Sequence, residues 1–209
     1  MTLAQSRLAM AAAFLMTASG LPGLGCALLS RGSSVDLRWY TPELVLSQPG
    51  STERQAGCEL RLGRVKSGTD LGRFIAYSDG LHEIGYYESR RWTERPEAYV
   101  RRALERALFE DGPFQRALTG AAPTLDIEVV EFEEVKAPTT HAARIALRVA
   151  LSSTDRVLLE RTVAVSEPVP GGDFDGFVAA MSGALGTTAS EIARAVSEAR
   201  PEDGACPGR

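Results

Sequence analysis

The feature that most limits the fold is a block of three alternating segments in the second half of the chain, "TLDIEVVEFEEV", "ARIALRVAL" and "VLLERTVAV". Alternation of apolar and polar residues marks a strand, because successive side chains point to opposite faces of a sheet. Each segment therefore carries an apolar face that must be covered. In the second, Ile145, Leu147, Val149 and Leu151 share one face and Arg144 and Arg148 the other. In the third, Val157, Leu159, Val163 and Val165 repeat the pattern across the turn "SSTDR", so the two are expected to pair. In the first, Leu125, Ile127 and Val129 alternate with acids and the phase changes at Val130 and Phe132, which predicts a bulge.

The cover is written into two helical stretches. In "GGDFDGFVAAMSGALGTTASEIARAVSEAR", Asp173 caps a long helix whose stripe runs Phe174, Phe177, Met181, Leu185, Ile192 and Val196. Gly183, Ala184 and Gly186 are expected to let it lie close to its support. In "RRWTERPEAYVRRALERALFEDGP", Val100, Leu104 and Leu108 recur with Ala103 and Ala107 at helical spacing; Pro96 suits the first turn and Gly112-Pro113 the stop. Upstream, "DLRWY" and "CELRLGRV" read as a first strand pair around an irregular segment. "GRFIAYSDGLHEIGYYES" reads as a hairpin turning at Asp79-Gly80. Together these give an α+β fold: a mostly antiparallel β-sheet with two amphipathic helices packed on one face, in a single domain.

The N-terminal region has a different logic. An apolar run from Leu8 to Ala18 is interrupted by Ser19, Gly20, Pro22 and Gly23 before it reaches the ~20 residues a membrane span needs, so it reads as a cleaved signal. It ends at Gly25-Cys26, the pattern of a bacterial lipoprotein, in which the cysteine thiol receives a diacylglycerol and becomes the new N-terminus. Gly23 stands where that pattern usually has leucine. Residues 1–25 are thus expected to be a signal peptide, 26–36 a flexible tether, 37–200 the domain and 201–209 a tail. With Cys26 assigned to lipid, Cys58 and Cys206 are left as a disulfide of an oxidising compartment or as two free thiols.

Charge and motif content narrow the function. The chain has 23 basic and 27 acidic side chains, with Lys66 and Lys136 its only lysines, which argues against nucleic acid as a partner. His82 and His141 have no cysteine or second histidine at metal-ligand spacing. There is no nucleophile elbow and no phosphate-cradling glycine loop. The acids of "DIEVVEFEEV" read as a solvated strand face. No cofactor is expected, and the chain reads as a non-enzyme.

The hairpin "RFIAYSDGLHEIGYYESRRW", the Trp92 that leads into "AYVRRALERAL", and the ending "SEPVPGGDFDGFVAAMSGAL…EIARAV" resemble the ABC-transport auxiliary lipoproteins of the paraquat-inducible protein C type. The resemblance implies a non-catalytic accessory of a system that moves phospholipids or related hydrophobic molecules across the envelope. Its partner would be an MCE-domain periplasmic protein. It further implies attachment to the membrane through the N-terminal lipid, with palmitate-type acyl chains, on the periplasmic face of the envelope; Ala27 after the cysteine leans toward the outer membrane. Oligomeric state stays open, a homo-oligomer included.

Partner contacts are expected around the second hairpin and first helix, at Tyr87, Arg90, Arg91 and Trp92, because tryptophan and arginine are enriched where truncation weakens an interface. The aromatic set Tyr86, Tyr87, Trp92 and Tyr99 is equally open to a core role. "SRRWTERPEAYVRRALER", with six arginines and three glutamates, reads either as a surface for an acidic partner or lipid headgroups or as a solvated helix face. The competing function is a periplasmic binding protein that takes a hydrophobic ligand between sheet and helices, which needs a cavity there.

Overall fold

Three long antiparallel strands form the spine of the computed structural model, which describes residues 35–42, 59–68, 71–118 and 121–199. The expected signal peptide, the acylated Cys26, the Cys58 and Cys206 pair and the tail lie outside the described residues. The spine consists of β6 (Thr124–Ala137), β7 (Thr140–Ser152) and β8 (Val157–Pro168). The other strands are β1 (Arg38–Tyr40), β2 (Glu59–Ser67), β3 (Phe74–Ser78), β4 (Ile84–Trp92) and β5 (Gln115–Arg116). Two α-helices are present among the described residues: α1 (Pro96–Glu105), extended by a π-helical turn at Arg106–Glu110, and α2 (Phe174–Glu198), preceded by a 3-10 turn at Pro170–Gly172.

β6 is long enough to serve two partners on one edge. β2 runs parallel to its first half, from Arg61 beside Thr124 to Ser67 beside Val129, and β3 runs parallel to its second half, Ala76 beside Glu133. On the other edge β7 pairs antiparallel along the whole strand, and β8 follows antiparallel on β7. β4 is antiparallel to β3, β1 is parallel to β4, and β5 is parallel to β2. The sheet is mixed: its long ladders are antiparallel and its parallel ladders short. The expected pairing of "DLRWY" with "CELRLGRV" does not form. Leu60 of β2 is fully buried and needs neighbours on both sides, which β5 and β6 supply, whereas the short, exposed β1 suits an edge.

The predicted phase change is a slip in the β6–β7 register between Val129 and Glu131; Val130 is exposed and Phe132 buried. A second slip was not foreseen. Ser152 pairs with Val157 but Leu151 with Leu159, so the phase of β8 changes at Leu158, and Val157 is exposed rather than on the core face.

Both helices cover the same face, and the centre of the core is aromatic. Trp92 lies 5.6 Å from Phe132, 5.9 Å from Phe177 and 6.2 Å from Tyr99, ring centre to ring centre. The Tyr99 hydroxyl meets the Thr93 Oγ1 at 2.7 Å and accepts the Glu94 N–H at 2.9 Å, which satisfies its polar end. Phe177, Met181, Leu185, Ile192 and Val196 bury the α2 stripe as expected, each contributing about 1.5–3 kcal/mol relative to exposure. Asp173 caps the helix by accepting the Gly176 N–H at 2.7 Å. The buried small residues of α2 include Ala180, Ala184, Ala189 and Ala195. A Cβ on Gly183 or Gly186 would meet nothing within 4 Å, so these two glycines do not mediate the close approach expected of them.

Candidate functional site

The residues singled out from the sequence sit together on β4 but are divided among two faces and the core. Trp92 is 0% exposed, so of its two roles it takes the core one. Tyr87 and Arg90 face the beginning of α2. The Arg90 guanidinium lies 4.0 Å from the Phe174 ring centre and 4.8 Å from that of Tyr87, and Tyr40 packs edge-on against Phe174 at 4.6 Å. These half-buried groups make an aromatic rim with a cation held on it. Arg91 belongs to the opposite face, where it covers the Phe74 ring at 4.3 Å. The remaining four arginines of the basic stretch are engaged locally: Arg95 stands 3.9 Å from Glu97, Arg102 pairs with Glu94, Arg106 with Asp111 at 2.9 Å, and Arg101 donates to the Gly63 carbonyl at 2.9 Å.

Behind the rim lies a polar cluster that the reading of the β6 acids as a solvated face did not anticipate. Glu134 is 1% exposed; it accepts the Tyr87 hydroxyl, meets His141 Nε2 at 2.6 Å and has Lys136 Nζ at 3.4 Å. Lys136 Nζ also donates to the Tyr87 oxygen. Burial first, and then the hydrogen bond and negative charge of Glu134, hold the Tyr87 phenol well above the ordinary tyrosine range, with Arg90 opposing. The sequence held one signal for this: once the phase shifts to Phe132, Glu134 is next on the same face. Gly85 admits the neighbouring ring, since a Cβ there would stand 2.4 Å from Tyr77.

The face of the sheet away from the helices has two halves. Over β6 and β7 it is ionic: Arg148 pairs with Glu128 and Arg144 with Glu131, each at 2.8 Å. Over β1, β3 and β4 it is apolar. Leu37, Trp39, Phe74, Leu81, Ile84 and Tyr86 are each between 43% and 80% exposed. Phe74 meets Tyr86 edge-on at 5.8 Å, and Arg73 sits 5.5 Å from the Trp39 ring centre. A groove of about 230 Å³ adjoins this patch, lined in part by Ala76, Ile84, Tyr86 and Val130. The turn that carries Leu81 is fixed by Asp79, whose Oδ1 accepts the N–H groups of Leu81, His82 and Glu83, and by Gly80 at φ +78°. Those backbone donors, Leu81 first, hold the Asp79 carboxyl below its usual range.

Among the described residues no three His, Cys, Asp or Glu side chains gather as a metal site, and no helix is long and apolar enough to cross a membrane. What the arrangement offers is contact surface: an aromatic-cationic rim on one face and an apolar patch on the other.

A protein from Xanthomonas campestris, of the DUF330 family, has a crystal structure that superimposes with a TM-score of 0.67 at 22% identity, covering 78% of this chain and 96% of that one. A second crystal structure, of an uncharacterized protein, gives 0.60 at 14% identity over 77% of this chain and 99% of the other. These likenesses show a shared fold. No curated protein matches the chain. Residues 46–193, from just after β1 to within the last turns of α2, match the model of the ABC-type transport auxiliary lipoprotein component. That match takes in the hairpin, the Trp92 lead into α1 and most of α2, and the chain belongs to the ABC-type transport auxiliary lipoprotein family.

Proposed function

We propose that the protein is a non-catalytic accessory subunit of an MCE-type ABC transport system for phospholipids or related hydrophobic molecules. In this reading it is held on the periplasmic face of the outer membrane by lipid on Cys26. The observation that carries the accessory role over the carrier role is the filling of the space between helices and sheet. Trp92, Tyr99, Phe132 and Phe177 occupy its centre and are all buried, while the potential contact groups stand outside it. A carrier needs room where these rings stand. Cys58 and Cys206 are proposed to be joined, pinning the tail to the domain, and free-thiol labelling of denatured, unreduced protein tests this: two labelled thiols per chain would refute it.

The MCE-domain protein is proposed to dock on the rim at Tyr87 and Arg90. Arg90 is already stacked on two rings, so little side-chain freedom remains to be lost on binding. The test is crosslinking in native membranes followed by copurification with the transporter. Arg90→Ala is expected to leave the melting temperature nearly unchanged and to weaken partner recovery about 30-fold, the equivalent of ~2 kcal/mol at a central contact. Full recovery with Arg90→Ala, or a captured set lacking any MCE-domain protein, would remove this reading.

A further inference from the structure

We propose that the apolar patch over β1, β3 and β4 is a membrane-contact surface: it lies on the phospholipid headgroups beside the anchor and fixes the orientation of the domain. The proposal rests on the lipidation of Cys26, because the anchor decides what the patch meets. Val35, the first described residue, stands nine positions after Cys26, and a fully extended chain covers at most about 30 Å over that distance. The patch begins where this leash ends, with exposed Leu37 and Trp39 just beyond Val35. A membrane tied to Cys26 is therefore held close to this part of the sheet.

The chemistry of the patch matches that occupant. Trp39, Phe74, Ile84, Tyr86 and Leu81 present apolar bodies of the kind that sink about 5–10 Å into the boundary between headgroups and acyl chains. The Arg73 and Arg91 guanidinium groups themselves lie over the Trp39 and Phe74 rings, Arg91 also donating to the Tyr87 and Arg90 carbonyls, so positive charge is fixed within the patch where anionic headgroups would meet it. The single acid of β4, Glu88, is exposed and lies along the strand between Tyr86 and Arg91, so this part of the patch is placed at headgroup depth rather than among the acyl chains. The other half of the same face carries Glu–Arg pairs in place of exposed rings.

The chain's two tryptophans make a direct test, since Trp39 is half exposed and Trp92 is sealed in the core. The full-length chain, purified from membranes of a bacterial host, is placed in vesicles of phosphatidylethanolamine and phosphatidylglycerol containing phosphatidylcholine brominated near the top of the acyl chains. Bromolipid is expected to quench the Trp39 emission by roughly half and to protect it from aqueous iodide. Trp39→Phe should abolish the quenching, and Leu81→Ser with Ile84→Ser should reduce it and restore iodide access. Trp39 open to iodide and unaffected by bromolipid overturns the proposal. So does a Trp39 that is shielded only after the transporter's periplasmic component is added, which would make a protein the occupant. The mass of the N-terminal peptide reads the anchor separately: an unmodified Cys26 refutes lipidation, and bromolipid quenching in the same preparation still decides the surface.

Discussion

Replacing Trp92 separates the core from the docking role in a single residue. Its side chain is fully buried against Tyr99, Phe132 and Phe177, so Trp92→Ala removes the largest ring from the centre of the fold and leaves a cavity that rigid neighbours cannot fill. Such truncations cost about 3–5 kcal/mol. At about 2–4 °C per kcal/mol for a domain of this size, the melting temperature should fall by about 6–20 °C. Trp92→Phe behaves differently. The indole Nε1 has no hydrogen-bond acceptor among the described residues, and burying an unsatisfied donor costs about 1–3 kcal/mol. Phenylalanine relieves that cost while losing ring volume, so the net destabilisation is expected to be about 0–2 kcal/mol. The assay is thermal unfolding followed by circular dichroism, run alongside copurification with the transporter. A Trp92→Ala protein that melts within about 2 °C of the wild type yet loses its partner would refute the core assignment.

Three further outcomes follow from the packing. Gly183→Ala and Gly186→Ala should each stabilise α2 by about 0.5–1 kcal/mol in urea unfolding, since the added Cβ meets nothing within 4 Å. Gly176→Ala should lose about 1–3 kcal/mol, because its Cβ would stand 2.1 Å from the Pro170 carbonyl oxygen. Glu134→Ala, which strips the acceptor from Tyr87 and His141, should destabilise by about 1–3 kcal/mol more than Glu134→Gln. The raised Tyr87 pKa means that the fold favours the protonated phenol. That stability is complete below the unfolded value of 10.0 and is lost as pH rises above it, so unfolding midpoints should decline in alkali and Tyr87→Phe should flatten the decline.

The sequence specifies the elements more firmly than their neighbours. The register slip at Val130, the Asp173 cap, the Asp79-Gly80 turn and the buried faces of β7 and α2 were all legible, because each depends on residues a few positions apart. Strand partners are not local. β2 and β3 share one edge of β6 end to end, an arrangement set by the length of β6 and by the need to enclose Leu60 and Ile75, neither of which alternation can express. The slip at Leu158 was missed for a related reason: Val157 and Leu159 look like one apolar series, and only pairing with β7 shows that an extra residue lies between their partners.

The site was legible as a location and not as a surface. Alternation says that Tyr86 and Tyr87 point apart, but both faces of β4 hold rings and arginines, so composition alone does not say which face the helices take. The covering is decided by α2. Phe174 and Phe177 bring Tyr40, Tyr87, Arg90 and Trp92 to the helix side and leave Trp39, Phe74, Tyr86 and Arg91 on the other. The same division explains why Glu134 is buried while its neighbour Glu133 bonds Ser78 at 2.8 Å on the uncovered face. Two adjacent arginines, Arg90 and Arg91, thus stand on opposite faces of the sheet. A substitution at one is expected to report on transporter docking, and a substitution at the other on the membrane. That separation makes the two proposed contacts independently testable in a strand of nine residues.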